Sequence, residues 1–149
     1  MCGFAGKVSL TGSHPPATRA LLSRMIRAVE HRGPDAFGLY RDERAGLAHA
    51  RLAIVDLLTG DQPMSNGDES WWVVFNGEVF NHVELRKELE GLGHHFRTHS
   101  DTEVVVHAWE QWGADCVRRF NGMFAFALWD RNRRTLLLAR DRLGKKPLY

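Results

Sequence analysis

Residues 123–129 (MFAFALW) are apolar at every position. Because successive side chains of a β-strand point to opposite faces of its sheet, this run would present apolar side chains on both faces. A strand of that kind is covered by protein on both sides. The polar residues 130–134 separate it from a second apolar run at 135–139, which predicts a hairpin. We therefore expect stacked layers of secondary structure, and not an open sheet with one face in water.

The composition is that of one ordinary globular domain. The chain has 149 residues, of which 44% are hydrophobic and 26% charged, and these values argue against a disordered chain or a coiled coil. Its 20 basic and 18 acidic residues give a net charge of +2, so charge predicts neither a nucleic-acid nor a membrane-surface partner. No apolar stretch approaches the roughly 20 residues of a membrane span, and no secretory signal is visible. We therefore expect a cytoplasmic protein.

Hydrophobic spacing divides the rest of the chain into short elements. It predicts strands at residues 3–10, 37–41, 47–55 and 71–75, and helices at about 17–30, from Leu85 to Leu92, and from residue 101 onward. Asn76-Gly77 is a strong turn signal and is expected to close the strand before it. Ser100 and Glu103 have the spacing of a capping box, which predicts the start of the last helix.

Cys2 is the residue with the most specific chemistry. Removal of Met1 would leave a cysteine that carries a free α-amino group, and α-amines titrate close to neutral pH. The amine could accept the proton of the thiol, so that one residue supplies both nucleophile and general base. The alternative is that Cys2, like most free cysteines, is a small buried hydrophobic residue. Cys116 lies in an amphipathic segment with no activating neighbour, and two cysteines do not make a disulfide framework.

Four further residues carry polar groups suited to a small ligand. Asn76 and Gly77 could supply an amide side chain and a backbone N–H to an oxyanion hole, or they could form an ordinary hairpin turn. Arg51 could hold a carboxylate with its guanidinium fork, or it could point into water from an edge strand. Asp101 could accept hydrogen bonds from an ammonium group, or it could only complement a helix dipole. Together with a thiol, these groups would suit an α-amino acid with a reactive side-chain carbonyl, and glutamine fits that description.

The chain resembles the class II glutamine amidotransferases, which have an N-terminal nucleophile, and in particular the glutaminase domain of the asparagine synthetase B family. Seven segments carry the resemblance in order along the whole chain: 1–3 (MCG), 31–35 (HRGPD), 49–56 (HARLAIVD), 60–64 (GDQPM), 75–78 (FNGE), 100–103 (SDTE) and 140–149 (RDRLGKKPLY). Any one of them is a weak signal, but seven in register are a specific one.

The resemblance implies a role for each of eight residues. Cys2 is implied as the nucleophile, with Asn76 and Gly77 as the oxyanion hole. Arg51 is implied to hold the carboxylate of glutamine. The remaining implied glutamine-binding residues are Glu78 and Asp101, toward the α-amino group, and Leu52 and Ile54, whose backbone lines the pocket.

The resemblance also implies an α+β fold, a four-layer αββα sandwich of two antiparallel sheets between helices, of the N-terminal nucleophile hydrolase type. The implied reaction releases ammonia from glutamine through a thioester on Cys2, for amidation of a carboxylate, aspartate to asparagine in the commonest case. No metal or cofactor is implied in this domain. ATP and Mg²⁺ are expected in a C-terminal synthetase domain of the same polypeptide, whose Ser-Gly-Gly-x-Asp-Ser loop does not occur among the 149 residues. The sequence does not determine the oligomeric state, and a homodimer is one of the open alternatives.

The domain is therefore expected to occupy residues 1–149 and to be incomplete at its C-terminus, since the family's domain runs past Tyr149. Four other interpretations stay open. The first is a zinc site among His94, His95, His99 and His107, whose spacing matches no strong ligand pattern. The second is a catalytically silent docking or glutamine-sensing module, and the third is a lactam-forming synthetase of the same class. The fourth is an amidotransferase that acts on a surface-polysaccharide precursor, because the segment 140–149 also resembles that of the exosortase-associated amidotransferases.

Overall fold

The computed structural model describes residues 1–9, 11–12, 14–54 and 56–149. Its strands are β1 (Gly3–Val8), β2 (Ala36–Arg41), β3 (Ala45–Arg51), β4 (Met64–Ser65), β5 (Trp71–Val79), β6 (Gly122–Asp130) and β7 (Thr135–Arg140). Its α-helices are α1 (Arg19–Arg27), α2 (His82–Gly91) and α3 (Asp101–Trp112), and two 3₁₀ helices span Glu30–Arg32 and Gly113–Arg118. None of the helices within these described ranges is long and apolar enough to cross a membrane.

The strands form two antiparallel sheets. The first has the order β1-β3-β2 and the second the order β4-β5-β6-β7. The predicted hairpin is β6 with β7, in which Phe126 faces Ala139. The doubly apolar run lies on β6, an interior strand of the second sheet, and six of its seven residues, 124–129, are buried.

Three apolar clusters separate four layers. The first cluster packs α1 against the first sheet through Leu22, Ile26 and Ala48. The second lies between the sheets and is built on residues such as Leu47 and Trp129. The third and largest packs α2 and α3 against the outer face of the second sheet. The predicted α+β class and the αββα arrangement are therefore confirmed.

The Asn76-Gly77 pair does not close a hairpin, so that prediction is wrong. β5 continues through both residues to Val79, and Gly77 lies opposite Phe124 of β6. A Cβ atom on Gly77 would lie 2.1 Å from the carbonyl oxygen of Met123. The glycine is therefore required by the close approach of two neighbouring strands, and not by a turn.

The third predicted strand ends earlier than expected, at Arg51, and Val55 lies outside the described residues. Arg51 is the last residue of β3 with a partner in the sheet, opposite Ala36. The backbone beyond it finds other partners, because the Ala53 amide donates to the Asp35 carboxylate at 2.9 Å. The apolar character of residues 52–54 thus belongs to a loop beside β3 and does not lengthen the strand.

The capping box at the start of α3 is half realised. The Ser100 hydroxyl caps the helix, but it accepts from the Thr102 amide, at 3.1 Å, and not from the Glu103 amide that the box predicts. The Glu103 carboxylate instead accepts from the amides of Arg97 and Thr98, at 2.8 and 2.7 Å. The chain folds back just before the helix, so the amides of Arg97 and Thr98 lie beside the Glu103 carboxylate. They take the place of the Ser100 amide, which is the donor to Glu103 in a capping box.

Candidate functional site

All eight residues singled out in the sequence line one cavity. They are Cys2, Arg51, Leu52, Ile54, Asn76, Gly77, Glu78 and Asp101. The cavity has a volume of about 100 Å³, which leaves room for several water molecules. Both sheets and the start of α3 contribute to its wall, so a small polar ligand would meet residues that are far apart in the sequence.

Cys2 lies immediately before β1 and is half-buried. Its Sγ is 3.4 Å from the backbone nitrogen of Leu52 and 3.7 Å from the backbone oxygen of that residue. The Leu52 amide is thus placed to donate to the sulfur. Arg32 fixes the main chain of Cys2 by donating from Nε to its carbonyl oxygen at 3.0 Å. The thiol is therefore held against the loop that follows β3.

The segment 31–35 holds this part of the site in place, a structural role that the sequence did not predict. A Cβ atom on Gly33 would lie 2.3 Å from the carbonyl oxygen of Ala50, so the segment packs directly on the backbone of β3. The Asp35 amide donates to the Arg51 carbonyl at 3.0 Å, and the Asp35 carboxylate holds the Ala53 amide. The HRGPD segment therefore clamps the backbone on both sides of Leu52.

Arg51 does not point into water from an edge strand. β3 is the central strand of its sheet, and Arg51 is only 6% exposed. Its Nη1 lies 2.9 Å from the carboxylate of Asp61, and its Nη2 donates to the carbonyl of Asp56. The Asp61 side chain is 75% exposed. A ligand carboxylate could therefore displace it from the guanidinium without removing a buried side chain from the core.

Asn76, Gly77 and Glu78 follow one another along β5 and all reach the cavity. Asn76 is 4% exposed, so its amide group is shielded from bulk water. Buried amide donors at fixed positions are suited to stabilise a developing oxyanion. The strand conformation, not a turn, is what places Asn76 and Gly77 side by side at the wall.

Gln62 also lines the cavity, and the sequence indicated it only as a member of the segment 60–64. Its Oε1 accepts from the Phe75 amide at 2.6 Å, and its Nε2 donates to the Thr102 hydroxyl at 3.2 Å. Phe75 precedes Asn76 and Thr102 follows Asp101. The buried Gln62 side chain therefore connects the backbone next to Asn76 with the backbone next to Asp101.

Asp101 is the first residue of α3 and is buried. Its Oδ2 accepts from the Val79 amide at 2.9 Å. Burial raises the pKa of Asp101, and the nearby charge of Glu78 acts in the same direction, while the Val79 hydrogen bond and His82 oppose the shift. A carboxylate desolvated in this way would gain most from a ligand cation.

His49 connects the two sheets and is fully buried. Its Nε2 lies 3.0 Å from the carbonyl oxygen of Phe75, so Nε2–H is the donor. Burial lowers the pKa of His49 to about 4, and the ring is therefore neutral at physiological pH. This histidine lies between β3 and β5 next to Asn76, and the sequence indicated it only as the first residue of the segment 49–56.

Cys116, the second thiol, is fully buried among apolar side chains, and burial raises its pKa to about 12. It is therefore inert, as the sequence indicated. Among the residues that the structure describes, one group of potential metal ligands comes together, formed by His94, His107 and Glu110. These three residues do not line the cavity.

Comparison with known proteins places the chain among amidotransferases. A family model described as a glutamine amidotransferase domain matches residues 1–149. The whole chain is 43% identical to the glutamine-hydrolysing asparagine synthetase 1 of Bacillus subtilis strain 168 and 42% identical to asparagine synthetase 1 of Arabidopsis thaliana, of which it covers 24% and 25%. The chain thus spans about a quarter of the length of these relatives.

A solved structure shares the fold. The chain matches the glutamine phosphoribosylpyrophosphate amidotransferase of B. subtilis, complexed with ADP and GMP, with a TM-score of 0.72 and 21% sequence identity. The match covers 95% of this chain and 37% of that one. At this level of identity the likeness concerns the fold, and it agrees with the two stacked antiparallel sheets described above.

Proposed function

Because the chain belongs to the glutamine amidotransferase domain family, we propose that its cavity hydrolyses glutamine to glutamate and ammonia with Cys2 as the nucleophile. The observation that carries the proposal is the presence in one cavity of a thiol, a buried amide, a guanidinium and two carboxylates. These are the groups that an amino acid with a side-chain amide requires for binding and for acyl transfer.

The first half of the reaction forms a thioester. With Met1 removed, the neutral α-amine of Cys2 takes the thiol proton, and Sγ attacks the side-chain carbonyl carbon of glutamine. The charge that develops on the carbonyl oxygen is stabilised by the Asn76 side chain and the Gly77 backbone N–H. The C–N bond then breaks, and the protonated amine gives its proton to the departing ammonia.

The second half regenerates the thiol. The α-amine, neutral again, takes a proton from a water molecule that attacks the thioester carbon. The same two donors stabilise the second tetrahedral intermediate, and the C–S bond breaks to release glutamate. Sulfur recovers its proton from the amine, so no other acid or base is needed.

The remaining residues hold the substrate for attack. Arg51 binds the α-carboxylate, in the place that Asp61 takes in the structure. Asp101, assisted by Glu78, binds the α-ammonium group, and Leu52 and Ile54 line the pocket. Because both ends of the amino acid are fixed by charge, its side-chain amide can be presented to Sγ in one orientation.

Replacing Arg51 with alanine is expected to raise the KM for glutamine by about 10- to 100-fold with a smaller effect on kcat. A hydrogen bond to a charged group contributes about 1.5–3 kcal/mol, which corresponds to that range of affinity. Steady-state kinetics of ammonia release measures the change. Arg133→Ala, in the exposed β6–β7 turn, is the matched control, and an equal KM in both variants would remove Arg51 from the site.

Glutamine affinity is expected to fall on the acid side because of Asp101. Since burial raises the pKa of this carboxyl above the ordinary 3.8, it takes up a proton at a higher pH than an exposed aspartate does. The protonated form cannot attract an ammonium group, so the Kd rises as pH falls through the raised pKa. Calorimetric titration of glutamine into the Cys2→Ala protein measures this without turnover.

The control for that experiment is Asp101→Asn. It should bind glutamine weakly at every pH and lose the acid limb, whereas Glu78→Gln should retain the limb. A Kd that does not change with pH in the parent protein would contradict the placement of Asp101 opposite the ammonium group.

Covalent labelling tests the proposal as a whole. A diazoketone analogue of glutamine should add once per chain, and peptide mapping should place the adduct on Cys2 in a chain without Met1. Labelling of Cys116, or an active enzyme that retains Met1, would refute the proposal. A silent sensing module would bind glutamine and take up no label.

We propose further that the ammonia is used by a larger protein. The relatives are about four times as long as this chain and are named asparagine synthetases. An ATP- and Mg²⁺-dependent synthetase domain of the same polypeptide would amidate a carboxylate, aspartate in the first instance. Assay of the natural polypeptide with glutamine, aspartate and ATP should yield asparagine; amidation of a different acceptor would replace aspartate and leave the glutaminase proposal intact.

A further inference from the structure

A second cluster of chemically active side chains lies on the helical layer, away from the cavity. His94 follows α2, while His107 and Glu110 lie three residues apart on one face of α3. Glu110 Oε2 is 3.2 Å from Nδ1 of His94 and 3.1 Å from Nδ1 of His107. The ligand atoms of all three residues lie within 4.8 Å of one another.

These distances match those between the ligands of a tetrahedral metal ion. Zinc binds imidazole nitrogen and carboxylate oxygen at about 2.0–2.2 Å, which places neighbouring ligand atoms about 3.4 Å apart. Two of the three separations in the cluster are within a few tenths of an ångström of that value. We propose that His94, His107 and Glu110 bind a divalent transition-metal ion of the zinc type.

The outer nitrogens of both imidazoles face acceptors. His94 Nε2 lies 2.9 Å from Oε1 of Gln111, and His107 Nε2 lies 3.6 Å from Oε1 of Glu103. Metal-binding histidines typically donate their second ring N–H to such an oxygen, which fixes the tautomer and turns the other nitrogen toward the metal. Phe96 packs edge-on against the His107 ring, with centroids 4.5 Å apart, and restricts its rotation.

The cluster also has access for an ion and room for water. Its three residues line an open cleft with His95 and Gln111, and the Glu110 side chain is 34% exposed. Water from this cleft can supply the fourth ligand. Two imidazoles and one carboxylate suit zinc or a neighbouring transition metal better than Mg²⁺ or Ca²⁺, which prefer ligand sets made of oxygen.

A bound ion would join the segment after α2 to α3, the helix whose first residue, Asp101, lines the cavity. A protonated His107 between Glu103 and Glu110 would satisfy some of the same contacts with no metal. The experiment must therefore distinguish uptake of a metal ion from uptake of a proton, and its readout must not depend on glutaminase activity.

Zinc chloride alone is the probe, titrated into metal-free protein that carries Cys2→Ala so that the reactive thiol cannot contribute. Competition with a chromogenic zinc chelator should show one equivalent bound, and zinc should raise Tm. His94→Ala and Glu110→Gln should each weaken zinc binding by more than about 100-fold. Removing a residue that only hydrogen-bonds to a metal ligand already weakens binding by up to about 100-fold, and these two residues are the ligands themselves. His95→Ala, an adjacent and exposed histidine, is the matched control and should bind as the parent does.

Cobalt(II) substitution gives an independent spectroscopic readout. Tetrahedral coordination should produce strong visible absorption that is lost in His94→Ala and kept in His95→Ala. Circular dichroism verifies that each variant is folded. The proposal is overturned if the parent takes up no zinc, if His94→Ala binds zinc as tightly as the parent, or if His95→Ala loses binding equally.

Discussion

Cys2→Ala is expected to abolish glutamine hydrolysis, with a loss of at least about 10³-fold in kcat, the scale seen when a catalytic nucleophile is removed. Alanine has no atom that can form the thioester, and the oxyanion donors and substrate contacts cannot replace it. It is also small, so removal of Met1 should still take place. Ammonia release from glutamine under saturating substrate is the measurement.

Two comparisons make the result specific. Cys116→Ala, which changes the buried second thiol, should hydrolyse glutamine at the parent rate. In the natural polypeptide, Cys2→Ala should keep ammonia-dependent amidation while losing glutamine-dependent amidation, because only the supply of ammonia is removed. If the Cys2→Ala protein hydrolysed glutamine at the parent rate, Cys2 would not be the nucleophile.

Asn76→Ala is expected to lower kcat by about 10²–10³-fold, the effect of removing one oxyanion-hole donor. The amide donates to an oxygen whose charge is greatest in the transition state, so KM should change far less than kcat. The contrast with Arg51→Ala, which acts mainly on KM, separates groups that hold the substrate from groups that stabilise the reacting oxygen.

Folding of the Asn76→Ala protein must be verified, since Asn76 is buried on β5. Asn132→Ala, in the exposed β6–β7 turn, is a control for the general effect of this substitution. A large rise in KM at constant kcat would assign Asn76 to substrate binding. An unchanged kcat/KM would exclude it from the reaction.

The layered fold could be predicted because it follows from a local pattern. Residues 123–129 are apolar at both alternating sets of positions, and only a strand between two covered faces accommodates such a run. The short loop after it made the β6–β7 hairpin equally readable. Both inferences need only neighbouring residues, which is why the sequence was sufficient.

Asn76-Gly77 shows where local pattern fails. The dipeptide has the same turn propensity in any sequence, but here the carbonyl of Met123 comes close enough to exclude every side chain larger than hydrogen at position 77. Tertiary contact with a strand about 45 residues away along the chain therefore decided the conformation. No spacing rule within residues 71–79 contains that information.

The hydrogen bonds that hold the site together could not be predicted either, because they also join residues far apart in the sequence. Arg32 holds the main chain of Cys2 across 30 residues, and Gln62 joins Phe75 to Thr102. The histidine cluster depends on α2 and α3 lying side by side, which the spacing of His94, His95, His99 and His107 does not reveal. Residue type indicated the chemistry, but which side chains meet is a property of the packed layers.

His49 and the apolar layer between the sheets have a consequence for how this protein can vary. The thiol precedes a strand of one sheet, and the oxyanion candidates lie on the other, so their separation depends on the thickness of the filling between them, to which Leu47, Val74 and Trp129 contribute. A change in side-chain volume there would displace the two halves of the reaction centre without altering any group that meets glutamine. Turnover and substrate affinity would then both depend on the volume of core residues that touch neither the thiol nor glutamine.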